Sequence, residues 1–259
     1  MYDINDVKAL MLDAGNRAMK HFRNVKPSWK ANNTYVTEAD LEVQAFLKAE
    51  LGRRFPDDGM IGEEDNLSLE PFSGDRYWII DPIDGTASFV RGFPTWGIAV
   101  GLFTPQEALA GFFYMPTTGD LYSTSSDGGV WRNDEQLALP VPDPHSPEAL
   151  LLAWPKWHKR YAPDSRYAGK IRSLGSTISH ICYAATGGAD AAFINRCSVW
   201  DLAAGLAMLL RNGGVLEYVD GTPVTLDELI RERRASQDMF AGHPEAVEYY
   251  RNVFSDLPF

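Results

Sequence analysis

A short apolar run that ends on two aspartates dominates this chain: Trp78-Ile79-Ile80-Asp81-Pro82-Ile83-Asp84-Gly85-Thr86. Tyr77 to Ile80 is aromatic and β-branched, the composition of a buried strand. Pro82 cannot donate to a ladder, so the strand is expected to stop there. Gly85-Thr86 can open a helix or a tight turn. Two carboxylates separated by Pro-Ile can converge on one cation or on a pair. The N–H groups of Gly85 and Thr86 can bind a phosphate oxygen, as helix N-termini do. An isolated Asp-x-x-Asp-Gly is more often a β-turn beside a strand-end cap. The chemical reading therefore depends on the other acids.

Val7, Leu10, Met11, Ala14, Ala18 and Phe22 recur at helical spacing and predict an amphipathic helix near 5–23. A second helix is predicted from about 38 to 54, with Thr37 as cap and Asp40 in the capping-box position. Leu41, Ala45, Phe46, Leu47 and Leu51 give it an apolar face. Strands are predicted at 77–80, 96–103, 108–115 and 121–123, with Asp127-Gly128-Gly129 as a turn before Val130-Trp131. Pro140-Val-Pro-Asp-Pro-His-Ser-Pro147 suits neither helix nor central strand and predicts a domain boundary. Residues 1–140 then form an α+β domain with most of the acids. Residues 141–259 form an α/β domain, with strands at 150–153, 191–194 and 214–219, helices near 176–187 and 201–212, and a turn at Asp220-Gly221.

The net charge of −11 argues against general binding of nucleic acid or anionic membrane. No apolar run approaches the ~20 residues of a membrane span. The acidic, polar start is wrong for a signal peptide, so the expected location is cytoplasmic. Cys182 and Cys197 form no Cys-x-x-Cys pair, and reduced thiols are expected. No Asp-x-Asp-x-Asp-Gly calcium loop occurs. An acidic protein that takes an anionic substrate must reverse the sign locally, which carboxylates holding divalent cations achieve. Two further clusters qualify. Glu63-Glu64-Asp65 follows Ile61-Gly62, and Asp201 stands in Trp200-Asp201-Leu202-Ala203-Ala204-Gly205, where alone it reads as a helix N-cap.

The ordered set Thr37-Glu38-Ala39-Asp40, Gly62-Glu63-Glu64, Asp81-Pro82-Ile83-Asp84-Gly85-Thr86 and Trp200-Asp201-Leu202-Ala203-Ala204-Gly205 resembles the inositol monophosphatase family. Arg172 to Ser176 and Thr186 to Ala191 are similar to family segments too, so the resemblance covers nearly the whole chain. It implies a five-layered αβαβα sandwich of the inositol monophosphatase and fructose-1,6-bisphosphatase type, α+β followed by α/β. It implies Mg²⁺-dependent hydrolysis of a phosphate monoester on a small metabolite, in a protein that forms homodimers. By resemblance, Glu63, Asp81 and the Ile83 carbonyl hold one Mg²⁺, and Asp81, Asp84 and Asp201 a second. Glu63 reaches a weaker third, which makes two or three ions per site. Asp40 and Thr86 orient the attacking water, and no phospho-enzyme is implied. The phosphate lies near Gly85, Thr86, Gly175 and Ser176. Glu64 stands behind the ligands.

The family commonly grips inositol with a glutamate seven residues before the Trp-Asp aspartate. That position is Ile194 here, with Asn195 next to it. Inositol monophosphate or a related polyol phosphate is the first expectation. Histidinol phosphate is an alternative, because Phe89 to Trp96 resembles that branch. Fructose 1,6-bisphosphate and 3′-phosphoadenosine 5′-phosphate are others, because Lys156, Lys159, Arg160, Arg166, Lys170 and Arg172 can hold a second phosphate or form a solvated face. Lys30 stands loosely where the family carries a lysine near the metal loop. A non-catalytic binding protein of the same fold is the different-class alternative. The presence of Asp40, Glu63, Asp81, Asp84, Thr86 and Asp201 argues against it.

Overall fold

The computed structural model describes residues 3–30, 34–65, 75–125 and 128–257. Val7, Leu10, Met11, Ala14 and Ala18 form the buried stripe of helix α1 (Ile4–His21), as their spacing predicts. Helix α2 (Glu38–Arg54) begins at Thr37 with both halves of a capping box, Thr37 and Asp40. These two helices cover one face of a seven-stranded sheet. Its order follows the chain: Gly59–Gly62, Tyr77–Asp84, Gly97–Phe103, Ala108–Met115, Asp120–Thr124, Val130–Arg132 and Glu135–Leu137. Only the first pair is parallel. Of the predicted turn at 127–129, Asp127 lies outside the described residues.

The Tyr77–Asp84 strand does not stop at Pro82. Asp81 pairs with Ala99 and Asp84 with Gly97, so one extra residue is accommodated between them. In a regular strand, residues three apart face opposite sides. The bulge corrects this and leaves Asp81 and Asp84 together. Proline, which has no N–H to lose, is well suited to such a position.

Residues 138–149, the proline segment, carry no regular element. Beyond them stands a five-stranded mixed sheet in the order Lys170–Arg172, Leu150–Ala153, Ala191–Ile194, Met239–Gly242, Val215–Tyr218. After the short helix α3 (Thr86–Arg91), helices α4 (Thr177–Ala185) and α5 (Ala203–Arg211) lie between the two sheets. Helix α6 (Leu226–Glu232) follows, and α7 (Pro244–Val253) covers the outer face of the second sheet. The layers are therefore α, β, α, β, α.

The small residues that open α5 have a packing cause. A Cβ at Gly111 would run into the Ala204 carbonyl, and one at Gly205 would stand 2.8 Å from Ile181 Cβ on α4. Helix α5 is clamped between a sheet and a helix, so Ala203-Ala204-Gly205 must stay small. This clamp fixes the approach of Asp201, just before α5, to the end of the Tyr77–Asp84 strand.

Candidate metal centre and active site

Asp81, Asp84 and Asp201 each place a carboxylate oxygen within 4.8 Å of the others. Asp81 is 2% exposed, and its Oδ1 is buried with no hydrogen-bond partner. A buried, unpartnered carboxylate oxygen is costly unless a cation completes it. Burial pushes the Asp81 carboxyl well above its ordinary range, and the charges of Glu63, Asp84 and Asp201 add to the effect. Asp201 is pushed up to about 8 by burial and by Glu63 and Asp84. It does not cap α5. Its Oδ2 instead accepts the Ser198 N–H at 2.8 Å, which turns the carboxylate back toward the sheet.

Asp84 is held from the other half of the chain. Its Oδ2 accepts the Ser176 hydroxyl and the Ile178 N–H at 2.8 Å, and its Oδ1 accepts the Thr177 N–H at 3.1 Å. Asp84 thus rests on the start of α4, which favours a negative charge. Burial still raises its pKa to about 6, against those hydrogen bonds. Ser176 also caps α4 by accepting the Ser179 N–H at 3.0 Å.

Glu63 and Glu64 sit beside this trio and share one cation. Lys30 Nζ lies 2.7 Å from Glu63 Oε1 and 2.5 Å from Glu64 Oε1. Burial lowers the Lys30 pKa, but the two glutamates outweigh it and the net shift is upward. Glu64 is raised to about 7, chiefly by burial. Asp65 turns away to Lys48 at 2.7 Å and to the Gly62 N–H at 2.8 Å. The three consecutive acids therefore split into two that face the site and one that anchors the loop. Of the basic run, Arg160 pairs with Asp238, Arg166 with Asp164 and Lys170 with Glu148.

Asp40 and Thr86 meet at the edge of the cluster. Thr86 Oγ1 donates to the Ile83 carbonyl at 3.0 Å and lies 3.4 Å from Asp40 Oδ1. Asp40 is fully buried, and burial raises its carboxyl to about 6 despite the hydrogen bonds from Thr37. Gly85 joins the strand to α3 at φ +88°, where an added Cβ would lie 3.0 Å from the Thr95 carbonyl and 3.1 Å from that of Gly175. Only glycine fits both the conformation and the space.

A model of the inositol monophosphatase family matches residues 4–246. This chain belongs to that family. Inositol monophosphatase family members are phosphoric monoester hydrolases dependent on Mg²⁺. An inositol-1-monophosphatase of Mesorhizobium japonicum is 28% identical over 86% of this chain and 88% of its own length. A histidinol-phosphatase of Chlorobaculum parvum is 30% identical over 78% and 80%. The Thermotoga maritima IMPase structure superposes with a TM-score of 0.82, at 24% identity, over 96% of this chain and 95% of that one. The family's five-layered fold is thus shared.

The residues expected to bind substrate are less uniform. Gly85, Thr86 and Ser176 border the aspartates, and Gly175 abuts Gly85. Ile194 is 1% exposed at the end of its strand and faces a neighbouring cavity with Asn195. Phe93, Trp154 and His180 line the same cavity. The sequence assigned Trp154 and His180 no role, and Phe93 only a place in the 89–96 stretch that resembles the histidinol-phosphate branch. They stand in three separate segments, and no motif links them.

Proposed function

We propose that this protein hydrolyses a phosphate monoester of a small metabolite at a Mg²⁺ centre built on Asp81, Asp84 and Asp201, with Glu63 and the Ile83 carbonyl as further ligands. The observation that carries the reading is the convergence of the three aspartates around the buried, unpartnered Asp81 Oδ1. Carboxylate and carbonyl oxygens are the donors a hard, octahedral cation takes. With Glu63 the cluster offers four carboxylates, which when ionised repel a phosphate dianion. Bound Mg²⁺, two or three ions by family resemblance, supplies the compensating charge and Lewis acidity toward water and the leaving oxygen.

The chain's own residues do the rest. Asp84 is prevented from rotating by three hydrogen bonds. The N–H groups of Gly85 and Thr86 face the phosphate. Thr86 Oγ1 accepts a hydrogen bond from the attacking water once its own proton turns from the Ile83 carbonyl to Asp40 Oδ1. Asp40, at about 6, is ionised at neutral pH and can hold that proton. Lys30 keeps Glu63 and Glu64 from repelling one another.

Inositol 1-phosphate and histidinol phosphate are the first substrates to try, since relatives carry those names. Bisphosphates form a second reading. Arg160, Arg196 and Arg234 line a cavity of ≈ 540 Å³ that shares Trp154 and Asn195 with the first. The test is phosphate release from inositol 1-phosphate, histidinol phosphate, fructose 1,6-bisphosphate and 3′-phosphoadenosine 5′-phosphate with and without Mg²⁺, using Asp201→Asn as control. Release that requires both Mg²⁺ and Asp201 is expected. Mg²⁺-independent release, or release undiminished in the variant, overturns the proposed centre.

A further inference from the structure

Next to Gly175 and Ser176 the surface sinks into a cavity of ≈ 290 Å³. Ser176 stands in its wall while its hydroxyl is bonded to Asp84. The cavity therefore opens where the alcohol half of a phosphate ester would emerge from the aspartate cluster. Its size is at the small end of ligand pockets, enough for one or two rings.

The walls are unusual for a sugar-like alcohol. Trp154 and Phe93 contribute aromatic rings, and Ile194 contributes only methyl and methylene groups. Phe93 is 57% exposed, a large apolar ring left at the rim of a pocket. Arg91, Thr177 and Asn195 supply polar groups on the other walls, but a polyol would leave the hydroxyls that face Trp154, Phe93 and Ile194 without partners, and each unmade buried hydrogen bond is costly. His180 is 4% exposed. Its Nε2 accepts the Leu174 N–H at 2.9 Å, which assigns the ring proton to Nδ1. Burial lowers its pKa to about 4, so the ring is neutral at physiological pH. It is a hydrogen-bond donor of fixed tautomer without a charge.

We propose that this cavity is the leaving-group pocket, and that it selects an alcohol whose body is flat and largely apolar, packed against Trp154 and Phe93, with an acceptor atom toward His180. The inference rests on the phosphatase reading above. It makes Phe93, Trp154, His180 and Ile194 the residues that set substrate preference.

The test compares kcat/KM for inositol 1-phosphate, 2-phenylethyl phosphate and 2-(4-pyridyl)ethyl phosphate with Mg²⁺ present. The aryl esters should exceed inositol 1-phosphate by about tenfold or more, with pyridyl above phenyl. Phe93→Ala should lower the aryl values about five- to tenfold through KM and narrow the gap. Because Phe93 is exposed, folding is not at stake. Calorimetry with the free pyridyl alcohol gives a second readout, binding that Phe93→Ala weakens. Release from all three esters with inositol 1-phosphate equal or preferred overturns this inference and leaves the phosphatase reading standing. No release from any ester, with Mg²⁺ bound, overturns both.

Discussion

Thr86 Oγ1 lies 3.4 Å from Asp40 Oδ1, across 46 positions of the chain. The other Asp40 oxygen takes the Thr37 N–H at 2.7 Å and the Thr37 hydroxyl at 2.5 Å. One carboxylate thus caps α2 and faces the reacting end of the site. The capping role of Asp40 and its proposed chemical role are compatible, because each uses a different oxygen.

Thr86→Val removes the hydroxyl and keeps the shape. We expect kcat to fall by about 10²-fold, the usual scale for a positioned proton-transfer group. Mg²⁺ affinity should stay near the wild-type value. Steady-state kinetics and calorimetry check this together. An intact kcat with only KM changed would remove Thr86 from the relay.

Asp81→Asn should separate stability from function. In the metal-free protein it removes a carboxyl whose ionised form is disfavoured by burial and by the charges of Glu63, Asp84 and Asp201. We expect a gain of about 1–2 kcal/mol, or roughly 2–8 °C in Tm. Mg²⁺ should raise the wild-type Tm and leave that of the variant almost unmoved. Thermal melts with Mg²⁺ and with chelator give both signs in one experiment.

Ser176→Ala removes a cap and a partner of Asp84 at once. Loss of the cap on α4 should cost about 1 kcal/mol in urea unfolding. Loss of the hydroxyl that orients Asp84 should weaken Mg²⁺ binding by about 10–100-fold. Ser176→Thr, which keeps a hydroxyl, should recover most of the affinity. Failure of that rescue would assign the effect to the helix instead.

His180 makes stability depend on pH. Its pKa is lowered from 6.5 in the unfolded chain to about 4 in the native protein by burial. Below 6.5 the unfolded chain takes up a proton that the native state refuses until about pH 4. The contribution is therefore fully present above 6.5 and lost as pH falls toward 4. At pH 5 the loss is about 2 kcal/mol relative to pH 7.5. His180→Gln, which keeps an acceptor for the Leu174 N–H, should flatten this part of the pH profile. A profile equally steep in both proteins would contradict the assignment.

Local chemistry made α1 legible by its apolar stripe and α2 by its capping box, both written within a turn or two of helix. The same holds for Asp81, Asp84, Glu63 and Asp201, whose neighbours in sequence mark them out. The expected face of α2 was misplaced: Leu41 and Ala45 are exposed, and Val43 is buried with Leu47 and Leu51. The strand at 239–242 and helix α7 escaped. Met239-Phe240-Ala241-Gly242 is too short to signal alone and becomes a strand by pairing with Ala191–Ile194 and Val215–Tyr218. Pro82 misled for the same reason, because the ladder continues around a bulge that the partner strand permits.

By itself the sequence determined which acids are present, where α1 and α2 begin, and that a protein this acidic must reverse the sign locally if it is to take an anionic substrate. Only the tertiary structure decided that Ser176 and α4 hold Asp84, and that Lys30 bridges Glu63 and Glu64. It alone brought Phe93, Trp154, His180 and Ile194 around one cavity. The physical reason is range. Helix periodicity, caps and turn residues act over a few positions and leave a readable pattern. A pocket wall is assembled from residues far apart in the chain, and nothing near each one records its partners.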